Sequence, residues 1–151
     1  MSDTKTQQRL IKIKRNIKIK LESEIMRLHA IQRQSEKKAQ TITTLQMYIA
    51  EYEKKIFNDN LRNTQHLINH QAFIRQLGNA MNKEQTHQEE LLEKKNKILH
   101  VIQQHRQHIE HIEEAIDREM KMMRDIKDTQ REQIELDQWN QQKQLNNKPL
   151  P

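Results

Sequence analysis

Cysteine is absent from this chain, which excludes a disulfide framework and thiolate chemistry. Glycine occurs once, at Gly78, and proline twice, at Pro149 and Pro151 near the C-terminal end. Disordered segments of comparable polarity are usually rich in Pro, Gly and Ser, so these absences argue for continuous helix instead of disorder. Hydrophobic residues make up 33% of the chain and aromatic residues 3%, against roughly 45–50% apolar residues in ordinary globular domains. A spherical core needs more apolar volume than that. A thin helical assembly does not, because each helix buries only a narrow stripe. No apolar run approaches the roughly 18 residues of a membrane span, and the N-terminal segment lacks the apolar core of a signal peptide. A soluble, intracellular protein is the expectation.

What the chain does have is charge and periodicity. Charged residues reach 32%, with a formal net charge of +6. Residues 1–20 hold seven Lys/Arg against Asp3 alone and so carry the whole excess, while residues 67–151 are net acidic by one. The basic character belongs to one end.

Steps of four and three from Leu10 generate a heptad seam of Leu10, Lys14, Ile17, Leu21, Glu24, Leu28, Ile31, Ser35, Lys38, Ile42, Leu45, Ile49, Tyr52 and Ile56. Ten of these fourteen positions are apolar in a chain that is one-third apolar, which is a coiled-coil signature. Lys14, Glu24, Ser35 and Lys38 are weak points or polar positions that set the register. A second seam runs from Leu67 through Ile74, Leu77, Met81, Leu91, Ile98, Ile102, Ile109, Ile112, Ile116 and Met123 to Ile126. It is interrupted at His70, Glu84, Gln88, Lys95, His105 and Glu119.

Between the seams, Asn58-Asp59-Asn60-Leu61-Arg62-Asn63-Thr64-Gln65-His66 is the best break in the chain, because Asn and Asp bond their own backbone and favour turns. A short connection makes two long amphipathic helices antiparallel neighbours. The expected fold is therefore all-α, one antiparallel coiled-coil hairpin: arm one at about 5–57, a turn at about 58–66, arm two at about 67–140, and a fraying tail over 141–151. Facing residue numbers should sum to about 124. The second helix then overruns the first, leaving Met120, Met122, Met123, Ile126, Ile134, Leu136 and Trp139 without an intramolecular partner.

Chemistry-bearing clusters are scarce. His100, His105, His108 and His111 drift around a helix at their spacing, so they read as solvated flank residues and no metal or other cofactor is expected. A two-helix rod offers no concave pocket for catalysis, and the chain is expected to act by binding and not as an enzyme. The basic segment Ile11–Lys20 admits contact with an acidic membrane surface, with nucleic acid, or with an acidic protein surface. Because the second arm is net acidic, nucleic acid is not among the expected partners. Four of the five aromatic residues, Tyr48, Tyr52, Phe57 and Phe73, fall around the turn. They read either as a locally widened core or as an exposed patch that anchors a partner.

The turn also carries a resemblance. Ile49-Ala50-Glu51-Tyr52, then Asn58-Asp59, then Leu67-Ile68-Asn69-His70-Gln71-Ala72-Phe73-Ile74-Arg75-Gln76-Leu77 resembles the FliJ family of flagellar type III export proteins. The family pattern there is W-I-N-Y-Q-Q-F-I-x-x-L. Ile68-Asn69, Gln71, Phe73-Ile74 and Leu77 match it, with Leu67 in place of the tryptophan and His70 in place of the tyrosine. The close match covers about 40 residues. The resemblance implies a cytoplasmic protein, peripheral at the inner face of the cell membrane through its partners, with a fold similar to the coiled-coil stalk of the rotary ATPase gamma subunit. Implied partners are the hexameric export ATPase, the membrane export gate and export chaperones. The family's gate-binding surface corresponds to Leu45, Tyr48, Tyr52, Phe73, Leu77 and Ala80. A contact with the ATPase ring is then expected at Lys12, Lys14, Arg15 and Lys18 of the basic segment, together with Met120 and Met123 of the overhang. The equivalent protein of a virulence injectisome, or a structural coiled-coil scaffold, are the alternatives.

Overall fold

A computed structural model describes residues 2–58 and 64–147, with side chains over 4–57 and 64–147. It contains two long helices packed in an antiparallel coiled-coil hairpin, α1 (Ser2–Asn58) and α2 (Thr64–Asn146). The expected turn at 58–66 is helical at Asn58 and from Thr64 onward, and its residues 59–63 lie outside the described residues.

The packing face is the heptad seam. All fourteen α1 seam positions are buried or half-buried, and outside them only Gln7, Ile25 and Gln32 among the described α1 side chains share that status. In α2 every expected seam position except Ile126 is likewise protected, joined by Gly78, Val101 and Ala115. Two helices cannot enclose a side chain from all sides, so only Ile17, Ile42, Ile102 and Ile112 are buried outright.

Contacts divide the chain into two compact units. One comprises the chain up to Lys20 with the chain from His105 onward, and the other is Leu21–Gln104. In the first, Ile17 and Ile112 form the buried core. Lys14 Nζ lies 3.0 Å from Glu113 Oε1, and Gln7 Nε2 donates to Met123 Sδ at 3.2 Å. In the second, Ile42 and Ile102 are the buried core. There Lys38 Nζ meets Glu84 Oε2 at 2.8 Å, and Tyr52 packs on His70 and Phe73. The polar seam residues Lys38 and Glu84 thus form an ion pair across the seam.

The helices persist through stretches of indifferent propensity for identifiable reasons. Thr41, Thr43 and Thr44 would compete with the helix through their hydroxyls, but each donates to the carbonyl four residues back, on Lys37, Ala39 and Gln40, at 2.9–3.0 Å. Gln65 bonds Asn69 at the same spacing in the first turns of α2. Lys55 and Lys143 lie in the last turns of their helices, where a cation complements the carbonyl end of the dipole.

Two expectations are corrected. Arm two, expected to end at about 140, is helical to Asn146, because Gln, Lys and Leu are adequate helix formers. The overhang also starts later than expected. Met123 is half-buried against Gln7, since α1 extends to Ser2 and Gln7 continues the four-three seam ahead of Leu10. From 124 to 147 every residue is exposed.

Candidate functional site

Two surfaces carry the residues singled out from the sequence. The first lies on the Leu21–Gln104 unit, toward the break. Leu45 and Leu77 are half-buried seam residues, as their heptad positions require. Tyr52 occupies the seam too, with its ring centroid 4.7 Å from Phe73 at a 58° tilt and 5.6 Å from His70 at 46°. The Lys55 ammonium sits 5.2 Å from the same ring. These tilted contacts have the geometry in which aromatic quadrupoles attract. Tyr52 therefore helps hold the two helices together, and its ring is the floor of the surface. Tyr48 and Phe73 rise beside it, 49% and 40% exposed. Counted at 100° per residue, Tyr48 and Phe73 fall on the same flank of the helix pair, and Ala80, exposed, continues it.

The aromatic cluster is thus both things the sequence left open: a widened core at Tyr52 and exposed apolar surface at Tyr48 and Phe73. Met47, Phe57 and Ile68 add to the exposed apolar area near the break, at 61%, 86% and 52%. Sequence reasoning assigned Met47 and Ile68 no role. Their signal was available, since both are large apolar residues off the heptad seam.

The second surface lies on the other unit. Lys12, Arg15 and Lys18 are exposed on α1, with Ile11, Ile13 and Ile19 exposed between them at 48%, 44% and 59%. The alternating Ile and Lys residues thus divide by helical phase: Leu10, Ile17 and Leu21 turn into the seam and the other isoleucines turn out. Lys14 departs from the basic group. It occupies a seam position and its ammonium is engaged by Glu113. Of the two methionines expected here, Met120 is 46% exposed, whereas Met123 is tucked against Gln7.

Polar groups elsewhere do not converge. His100 shares a hydrogen bond with Gln104, and His111 lies 3.8 Å from Glu114, both on the helix surface. Among the described residues no three His, Asp or Glu side chains gather as a metal site, and no helix is long and apolar enough to cross a membrane. The grooves beside the seam, such as that between Lys38 and Leu91, are open to solvent. No protein-family model, curated protein or solved structure matches this chain.

Proposed function

We propose that this chain is a FliJ-like stalk and adaptor of a flagellar type III export apparatus, acting by binding and carrying out no chemistry of its own. The observation that carries this reading is the helical hairpin whose second helix runs on alone past a basic first-helix end. A stalk of this kind needs a paired-helix end from which one helix projects to reach into a ring. Lys12, Arg15 and Lys18 with Met120 and the helix beyond Met123 would meet the export ATPase. Lys14 would contribute through the shaft, by its ion pair with Glu113, more than through direct contact. The Tyr48–Phe73 flank, with Ala80 beside it and Leu45, Tyr52 and Leu77 beneath, would receive the export gate or a chaperone. Its support is the exposure of two large aromatics, with Met47, Phe57 and Ile68 adding exposed apolar area nearby, since aromatic anchors dominate interface energies. In this reading the protein is cytoplasmic and reaches the membrane only through its partners.

The test is a chain ended after Met123, which keeps the Gln7–Met123 contact and deletes the lone helix. It should remain helical, bind the export gate as the full chain does, and fail to bind or stimulate the ATPase ring. Normal stimulation by the shortened chain would refute the assignment of the projecting helix.

A further inference from the structure

Within the Leu21–Gln104 unit, one flank of the helix pair is wider than a two-stranded seam requires. A paired coiled coil needs apolar side chains only at its four-three positions, whereas a helix with a second neighbour needs a further apolar position in each heptad. Ile25 and Gln32 are half-buried on α1 although neither belongs to the seam. Counted at 100° per residue, both fall on the flank away from Tyr48. Leu92 and Leu99 form the matching stripe on α2, 55% and 41% exposed. Each stripe steps by seven residues, and position 25 lies level with 99 as 32 does with 92, close to the register in which Lys38 meets Glu84.

The seam beneath this flank is incompletely filled. Ser35 is the smallest side chain of the α1 seam, and two adjoining grooves open beside it. One runs past Ile31, Gln32 and Glu36 to Leu92, and the other past Gln85, Gln88 and Glu89 to the same leucine. Seven residues before Gln85, Gly78 continues the α2 stripe with open space where a side chain would stand. Gly78 to Leu99 covers about 32 Å of helix.

The outer edge of the flank is acidic. Glu22 and Glu36 border it on α1 and Glu89 on α2, and no ion pair among the described residues uses any of them. Lys95, a seam residue, is the one cation lining either groove. The groove on the opposite flank is bordered instead by Lys37 and Lys94. A second copy packed on the Leu92 flank about a two-fold axis would bring two acidic edges together, so the charge favours a different chain of opposite sign. We propose that this flank docks an amphipathic helix of a partner protein, with apolar residues three and four apart and lysine or arginine beside them. The partner's apolar side chains enter the grooves beside Ser35 and cover Leu92 and Leu99, while its cations lie along Glu22, Glu36 and Glu89. This surface is separate from the Tyr48–Phe73 flank and does not depend on the export reading.

The probe is a fluorescent peptide of about 22 residues, about 33 Å long as a helix, with leucines at steps of four and three and lysine and glutamine elsewhere. Its anisotropy with the full chain should show saturable one-to-one binding at about 0.05 M salt. A peptide with glutamate in place of every lysine should bind at least about tenfold more weakly. Leu92→Ser/Leu99→Ser should weaken binding of the lysine peptide by about tenfold or more. Its helical circular dichroism should be unchanged, because both side chains are exposed. Glu22→Gln/Glu36→Gln/Glu89→Gln should weaken binding about three- to tenfold at about 0.05 M salt, and by less at about 0.5 M, where screening is stronger. Lys37→Gln/Tyr48→Ala, on the other flank, should leave it unchanged. Absence of saturable binding overturns the proposal, as does equal binding by the Leu92→Ser/Leu99→Ser chain or by the glutamate peptide. So does a homodimer, seen by sedimentation of the chain alone, that the two serine substitutions dissolve, because the flank then belongs to a second copy.

Discussion

Removing Lys38 should do more harm than replacing Lys38 and Glu84 together. The two side chains are 33% and 22% exposed, their charged atoms are 2.8 Å apart, and Glu84 Oε2 is shielded from solvent without a well-directed hydrogen bond. The ion pair is therefore Glu84's main compensation for lost hydration. Lys38→Ala leaves that carboxylate facing a seam with no counter-charge, a cost of about 1–3 kcal/mol for an uncompensated polar group. Partial exposure places the expected value in the lower half of that range, about 1–2 kcal/mol. Lys38→Leu/Glu84→Leu removes both desolvation penalties and continues the apolar seam between Ile31 and Ile42, so it should be neutral or stabilising by about 1 kcal/mol or more. The opposite signs are the diagnostic. Urea unfolding followed by circular dichroism at constant slope would measure them, with Glu84→Ala completing a double-mutant cycle. The double-Leu chain should also lose register selectivity, because a polar pair in a seam penalises a slip by one heptad. Spin labels at positions 45 and 77 would report this as a broadened distance distribution. Unfolding energies for both single variants within about 0.3 kcal/mol of the unaltered chain, with no coupling, would refute the reasoning.

Other outcomes follow from single positions. Gly78 is half-buried in α2 with nothing within 4 Å of an added Cβ, so Gly78→Ala should raise stability by about 0.8–1 kcal/mol in the same unfolding assay. Ile112→Ala, at one of the four buried isoleucines, should cost about 2–4 kcal/mol, and an exposed Ile13→Ala under about 0.5 kcal/mol. Tyr48→Ala should leave stability within about 0.5 kcal/mol. Phe73→Ala should cost more, about 1–2 kcal/mol, because it loses its contact with the Tyr52 ring. Affinity for an export gate, measured beside thermal unfolding, should fall by about 2 kcal/mol or more for the double variant. A gate affinity unchanged per folded molecule would remove both residues from the site.

Heptad spacing alone determined which face of each helix is buried. Leu10 through Ile56 and Leu67 through Met123 are protected as their four-three steps require, because a side chain's direction on a helix depends only on its number and the helical period. Polar content did not disturb this: Lys38 and Glu84 sit at seam positions as surely as Ile42 does. The antiparallel arrangement was legible as well, from the shortness of the connection. Only tertiary structure decided what the periodicity leaves free. Which polar seam residues meet depends on the axial register, a long-range quantity that a pattern repeating every seven residues leaves ambiguous. That register pairs Lys14 with Glu113, withdrawing it from the basic face, and brings Gln7 to Met123, shortening the lone helix. It also places Tyr52 between His70 and Phe73, so that one aromatic of the cluster holds the shaft together while Tyr48 and Phe73 remain accessible.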